Sequence, residues 1–325
     1  MKESQLNSIM KHLCINLMLM LTIFISPSVR ANENSHVHKE MNFDAQLTHA
    51  DNIRSSQPKQ FLMLINDLNQ NTIDISKAQQ YYLDYLNIYL LMYQGNLNKA
   101  LVSSKVLINS NANKLLKFRA KIALVNILAA NQTWAEGLST LSEMLEELPA
   151  IEDKKTYHIA LLVAGVFYSQ IGQYDLNIFY AKKIVSSSNQ GRDHCKAKAQ
   201  IIGSSFKLKQ LAPTDPIIKQ AISLCRINQE HLYISFINVY VAKTYLENQQ
   251  HTKALKLLNS TLQDTLNTKH SYIIAEYYSL LAQVHWFNKN ENLTKQFALQ
   301  ALEHEKKKDT SVAKVLSYKL LFEVE

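Results

Sequence analysis

Positions suited to a close helix contact recur through this chain at a nearly fixed interval. Ile88, Val125, Gly165, Gly203, Ala242 and Ala282 are separated by 37, 40, 38, 39 and 40 residues. In five of these six segments a small or polar residue follows twelve positions later, at Ala100, Gly137, Asn177, Ala254 and Thr294. A constant offset of that size fits two successive helices joined by a short turn, and the period builds stacked units rather than one globular core. Composition agrees, because a chain of 325 residues with 47% apolar side chains has only 6 Gly and 5 Pro, too few turn formers for many short strands. No period-2 alternation is longer or cleaner than the helical patterns that overlap it. The expected class is all-α.

The clearest unit is LLVAGVFYSQIGQYDLNIFYAKKIV, residues 161 to 185, with small Gly165, aromatic Tyr168, a turn at Gly172-Gln173-Tyr174, then Ala181 and Ile184. It resembles a tetratricopeptide repeat, two antiparallel helices in which small residues permit close contact and larger ones fill the gaps. The units exceed the usual length of about 34 residues and lack that pattern's Trp and Pro, so they are degenerate. In the fourth, LKQLAPTDPIIKQAISLC carries about two extra residues in its turn, with Asp215 as N-cap and Pro216 at the first helical position. A further pair is expected upstream, at 43 to 56 and 58 to 70, and a single helix downstream, at 309 to 325. Residues 42–325 thus read as a tetratricopeptide-like solenoid, a right-handed superhelix of about seven helix pairs with the last one incomplete, its concave face lined by the first helix of each pair. The last helix carries Val312, Val315, Leu316, Leu320, Leu321 and Val324 with no second helix over them. A truncated chain, a missing partner or packing back onto the previous pair would each account for this.

Residues 1–31 have the layout of a signal peptide: basic Lys2 and Lys11, the apolar run LCINLMLMLTIFIS, and Val29-Arg30-Ala31 at the cleavage position. The run is short for a membrane span, although an uncleaved anchor is the alternative. A flexible leader, 32–41, would follow, and the exported protein would be periplasmic. Without the signal segment the formal charge is +6, with both signs interspersed. Nothing clusters into a nucleic-acid footprint. Membrane contact is expected only through a missing C-terminal helix or an uncleaved signal.

Motifs for catalysis, phosphate cradling or metal binding are absent, so no catalytic residue, metal or cofactor is expected. His36 and His38 fall in the leader, and His194 beside Cys195 reads as a surface residue, since neighbours on a helix point about 100° apart. Cys195 starts the first helix of the fourth unit and Cys225 lies near the end of its second, which brings both to one end of an antiparallel hairpin. In an oxidising compartment these are a disulfide candidate, the alternative being two buried thiols.

Recognition belongs in the concave groove, for a protein, peptide or small-molecule ligand. The register aims Asn126, Lys243, Gln283 and Trp286 toward it, and Trp286 offers the largest contact area. YYLDYLNIYLLMYQG, residues 81 to 95, adds Tyr82, Tyr85, Tyr89 and Tyr93 on one helical face. The helical pattern favours burial, whereas the repeat register turns the same face inward. Cover by the preceding pair, 43 to 70, reconciles the two; an open aromatic groove is the alternative.

Three stretches, ADNIRSSQPKQF, FRAKIALVNILAANQTWAEGLSTLSEMLEELP (118 to 149) and YSQIGQYDLNIFYA (168 to 181), resemble the extracytoplasmic tetratricopeptide input region of bacterial GGDEF-type diguanylate cyclases. The resemblance spans nearly all of residues 42 to 325. It implies a sensing module followed by a membrane helix and a domain that makes cyclic di-GMP, neither of which is in this sequence. A free periplasmic protein–protein scaffold with no output domain is the alternative.

Overall fold

The computed structural model describes residues 42–72, 74–187, 191–304 and 312–324. The expected signal peptide and leader, with His36 and His38, lie outside the described residues. Among those described there are fifteen α-helices and no strand, so the chain is all-α. The pairs are α1 (Phe43–Ile53) with α2 (Pro58–Gln70), α3 (Lys77–Tyr93) with α4 (Leu97–Ile108), α5 (Lys114–Ala130) with α6 (Trp134–Glu147), and α7 (Lys154–Gln170) with α8 (Tyr174–Val185). They continue as α9 (Arg192–Lys207) with α10 (Pro216–Ile227), α11 (His231–Glu247) with α12 (His251–Asn267), and α13 (Ser271–Phe287) with α14 (Glu291–His304), followed by α15 (Val312–Glu323).

Local chemistry sets the helix ends. Asn42, Ser76, Asn113 and Asp153 each accept from a backbone N–H three residues on, and at Ser76 the Gln79 side chain accepts in return. Within most pairs the turn is three residues long and its middle residue is left-handed, at Gly95, Gln132, Gly172, Gln249 and Lys289. The next N–H bonds back to a carbonyl five residues earlier, as Thr133 does to Leu128 and Gln250 to Tyr245. This closure satisfies the free carbonyls at a helix C-terminus, so the chain can turn often with few glycines.

All eleven register positions named from the periodicity are buried. The three glycines among them have something standing against them: a Cβ on Gly137 would meet the Phe167 ring, on Gly165 the Asn177 and Gln200 side chains, and on Gly203 the Tyr240 ring. The ninth and tenth helices depart from the sequence reading. Their connection runs from Leu208 to Asp215, eight residues against three in five of the other pairs, so five are extra rather than two. Lys209 still closes α9 in the left-handed conformation, after which buried Leu211 tucks the chain back against the hairpin core. Asp215 caps α10 by accepting from Ile217 N, with Pro216 first in the helix.

Every first helix packs against the next, from α1 through α3, α5, α7, α9, α11 and α13 to α15, and no comparable contact joins consecutive second helices. The first helices therefore form the tighter, inner face of the solenoid. Leu316, Leu320 and Leu321 of α15 pack back onto α13 and α14, leaving Val315, Tyr318 and Phe322 exposed. Among the described residues no helix is long and apolar enough to cross a membrane.

Candidate functional site

The inner face is built around the corner between α1 and α2. Asp51, at the end of α1, is 5% exposed and reaches three cations: Arg54 Nε at 3.1 Å, Arg119 Nη2 of α5 at 2.5 Å and Lys155 Nζ of α7 at 3.1 Å. Burial alone would raise its carboxyl, but Arg54, Arg119 and Lys155 outweigh that and hold it down to about 2. Arg54 extends over the α3 tyrosines, its guanidinium 4.0 Å from the Tyr89 ring centre and 5.7 Å from that of Tyr85. Arg119 brings a second guanidinium to this face, 4.4 Å from the Tyr85 ring centre and 5.5 Å from that of Tyr82. Planar guanidinium groups suit this role, since they stack on rings while their edges bond a carboxylate.

The four tyrosines of α3 are thus brought together under the N-terminal pair. Tyr85 is 1% exposed, which removes it from the groove surface where the repeat register had placed it. Tyr82 donates to Asp51 Oδ2 at 3.3 Å, and the rings of Tyr85 and Tyr89 meet edge to face at 5.3 Å. Tyr93 keeps part of its ring exposed while its hydroxyl donates to Arg54 O at 2.6 Å. On the opposite side of α3, Asn87 exchanges two hydrogen bonds with Asn69 of α2. The cover is the preceding pair, 43 to 70, the first of the two arrangements expected for this face.

The corner also reaches further along the solenoid. Lys155 donates to Asn52 Oδ1 at 2.8 Å, Arg192 of α9 donates to Asn52 O at 2.7 Å, and Lys196 donates to Ser55 Oγ at 3.1 Å. Arg192 and Lys196 are held from behind by Glu230, which is 2% exposed, at 2.9 and 3.4 Å. Burial lowers the Lys196 ammonium, and the Glu230 carboxylate opposes that fall. Glu230 directly precedes α11, and its N–H bonds to the Cys225 carbonyl. Cys225 and Cys195 are joined as a disulfide with a Cα–Cα distance of 4.9 Å, so the cross-link sits at the end of the hairpin that carries these charged groups.

His194, read from the sequence as a surface residue, is instead buried. Its Nε2 lies near Ser187, and its ring meets that of His158 edge to face at 6.0 Å. Because α9 is flanked by α7, α8 and α11 in addition to α10, neighbouring positions on the helix are both covered. Asn126 and Gln283 are half-buried on α5 and α13. Lys243 is committed to buried Glu276 of α13 at 2.7 Å, and Trp286 is 37% exposed with its ring against Phe287. None of these four joins the cluster at the corner. No group of three or more metal-ligating side chains occurs among the described residues.

Asp51, Arg54, Arg119, Lys155, Arg192, Lys196 and Glu230 were absent from the sequence-derived candidates. One signal was present, since three of the chain's five arginines, Arg54, Arg119 and Arg192, meet here. In a chain whose other basic residues are lysines, arginine marks places where a planar, multiply bonded cation is required.

No protein-family model matches the sequence, and none of the curated proteins is similar to it. Solved structures resemble the fold. A Rap protein complexed with competence and sporulation factor superposes with a TM-score of 0.63 at 13% identity, over 81% of this chain and 76% of that one. A tetratricopeptide repeat protein from Parabacteroides merdae gives 0.54 at 13% identity, over 86% and 98%. The apo form of RapI gives 0.55 at 14% identity, over 86% and 79%. Identities this low establish a tetratricopeptide-type helical-repeat fold and leave function to the site.

Proposed function

We propose that this chain is an interaction module whose inner face grips a protein or peptide segment. The observation that carries the reading is convergence: Arg119, Lys155, Arg192 and Lys196, from three successive first helices, all bond one short stretch of chain, Asp51 to Ser55. A surface that holds a segment of its own chain this way has the side chains and spacing to hold a foreign one. Structural relatives that include a Rap protein bound to a factor support the reading. Selection of a displayed peptide library on the purified chain tests it. Selected peptides should lose at least tenfold in affinity on Trp286→Ala or Asn126→Ala and be indifferent to changes on the second helices. Peptides that map only to the second helices would sink the proposal.

The finer reading is an exported sensor, the extracytoplasmic input region of a diguanylate cyclase. The leader sequence, the three quoted stretches and a disulfide suited to an oxidising compartment support it. Binding would act by favouring one curvature of the solenoid over another. Reading the coding DNA past Glu325 separates the alternatives: an in-frame apolar span and a GGDEF segment fit the sensor, whereas a stop codon fits a free scaffold.

A further inference from the structure

The contacts that the α1–α2 corner makes with α7 and α9 are of one kind. Lys155 donates to Asp51 and Asn52, Arg192 to the Asn52 carbonyl and Lys196 to the Ser55 hydroxyl. Every donor is a cation on a later repeat and every acceptor is an oxygen on the corner. These residues are 103 to 141 positions apart, and the buried apolar cluster of α1 and α2 ends at α5 without reaching α7 or α9. Apolar packing thus joins α1 to α5 and continues from α5 onto α7 and α9 through Phe118, Ile122, Val125 and Ala129, while the corner of this N-terminal body meets α7 and α9 through the polar contacts just named. Lys155 and Arg192 keep 44% and 34% of their side-chain surface exposed, so both can be reached by a competitor.

We infer that this ladder of cations is a latch, filled in cis by the corner, and that an acidic peptide segment competes for it and opens the inner face. The inference rests on the reading of the inner face as a binding surface and adds the partner's chemistry and the closed state. An extended acidic segment offers the same groups as the corner, carboxylates and backbone carbonyls, to the same donors. Glu230 fits the role of a fixed support, because it is buried, bonds Arg192 and Lys196 and belongs to the later repeats rather than to the corner. Partly exposed ion pairs are individually weak, which allows a ligand to exchange for them, whereas the buried Asp51–Arg54–Arg119 group stays with the N-terminal body.

The test uses the intact chain with spin labels at Gln57→Cys and Lys219→Cys, both exposed positions, and fluorescein-labelled hexaglutamate as the probe. Hexaglutamate should bind and shift the label-to-label distance to longer values. Lys155→Gln/Arg192→Gln/Lys196→Gln should weaken its binding at least tenfold and lengthen the distance without peptide. Lys99→Gln/Lys182→Gln/Lys256→Gln removes the same charge from exposed positions of second helices and should leave binding within twofold. Equal losses in the two triple variants, no binding, or binding with an unchanged distance would each overturn the latch. Library-selected peptides that still bind the inner face in that event would leave the interaction-module reading standing.

Discussion

Asp51 and Arg119 stand 68 positions apart in the chain, yet Arg119 Nη2 lies 2.5 Å from Asp51 Oδ2 with both side chains almost out of solvent. That pair fastens the first helix of the solenoid onto the fifth, across the tyrosine face of the third. Its removal exposes the cost of leaving Arg54 and Arg119 buried without their anion. Asp51→Asn should destabilise the protein by about 3 kcal/mol, the penalty for an unpaired buried charge, read as a lower urea midpoint with the slope unchanged.

Acid should find the same group. The Asp51 carboxyl titrates near 2 in the folded chain against 3.8 when unfolded, so the unfolded state binds its proton first as pH falls. The stabilisation is complete above pH 5 and disappears between about pH 4 and pH 2, with a size of roughly 2 kcal/mol. Urea titrations at pH 6 and pH 3 check this: Asp51→Asn should have a flatter pH dependence than the parent over that window.

The disulfide closes a separation of 30 residues, worth roughly 3 to 4 kcal/mol by loop-closure entropy. Cys195→Ser/Cys225→Ser should lose about that much stability. Thiol titration of the denatured, unreduced protein should find neither cysteine free, and two reactive thiols at these positions would contradict the bond. Because Glu230 follows Cys225 closely, hydrogen exchange in 228–235 should rise more than in α13 once the bridge is removed.

Glycine plays two separable parts. Gly165→Ala and Gly137→Ala put a methyl group into Asn177 and Gln200 or into the Phe167 ring, and each should cost about 1 to 3 kcal/mol through overpacking. Gly95→Ala meets no atom within 4 Å but is asked to hold φ 76°, a backbone cost of about 1 kcal/mol. The reverse change, Gln249→Gly or Lys289→Gly at left-handed turn positions, should raise the melting temperature by about one degree, a gain near 0.5 kcal/mol after the entropy of the freer unfolded chain is deducted.

Much of the fold was legible because a repeat writes the same contact many times. One small residue such as Gly165 means little, but eleven positions in register all mark places where two helices approach closely, and each proved buried. The connection after α9 was misjudged because a long turn has no periodicity to count, and Leu211 holds it through a contact with residues distant in the chain. His194 was misplaced because its neighbours, His158 of α7 and Ser187 after α8, come from the preceding pair, which the spacing within α9 does not reveal.

The tyrosine stretch divides what each level decides. The sequence by itself determined that Tyr82, Tyr85, Tyr89 and Tyr93 share one face of a helix, since 100° per residue is a local property of the backbone. It also placed that helix first in its pair, on the inner side. Only the tertiary structure decided what meets that face: Arg54 from before it and Arg119 from after it, both over the Tyr85 ring. Local geometry sets which side chains point together, but the partner depends on how far the stacked pairs curve back on themselves, a sum of small rotations over the whole chain.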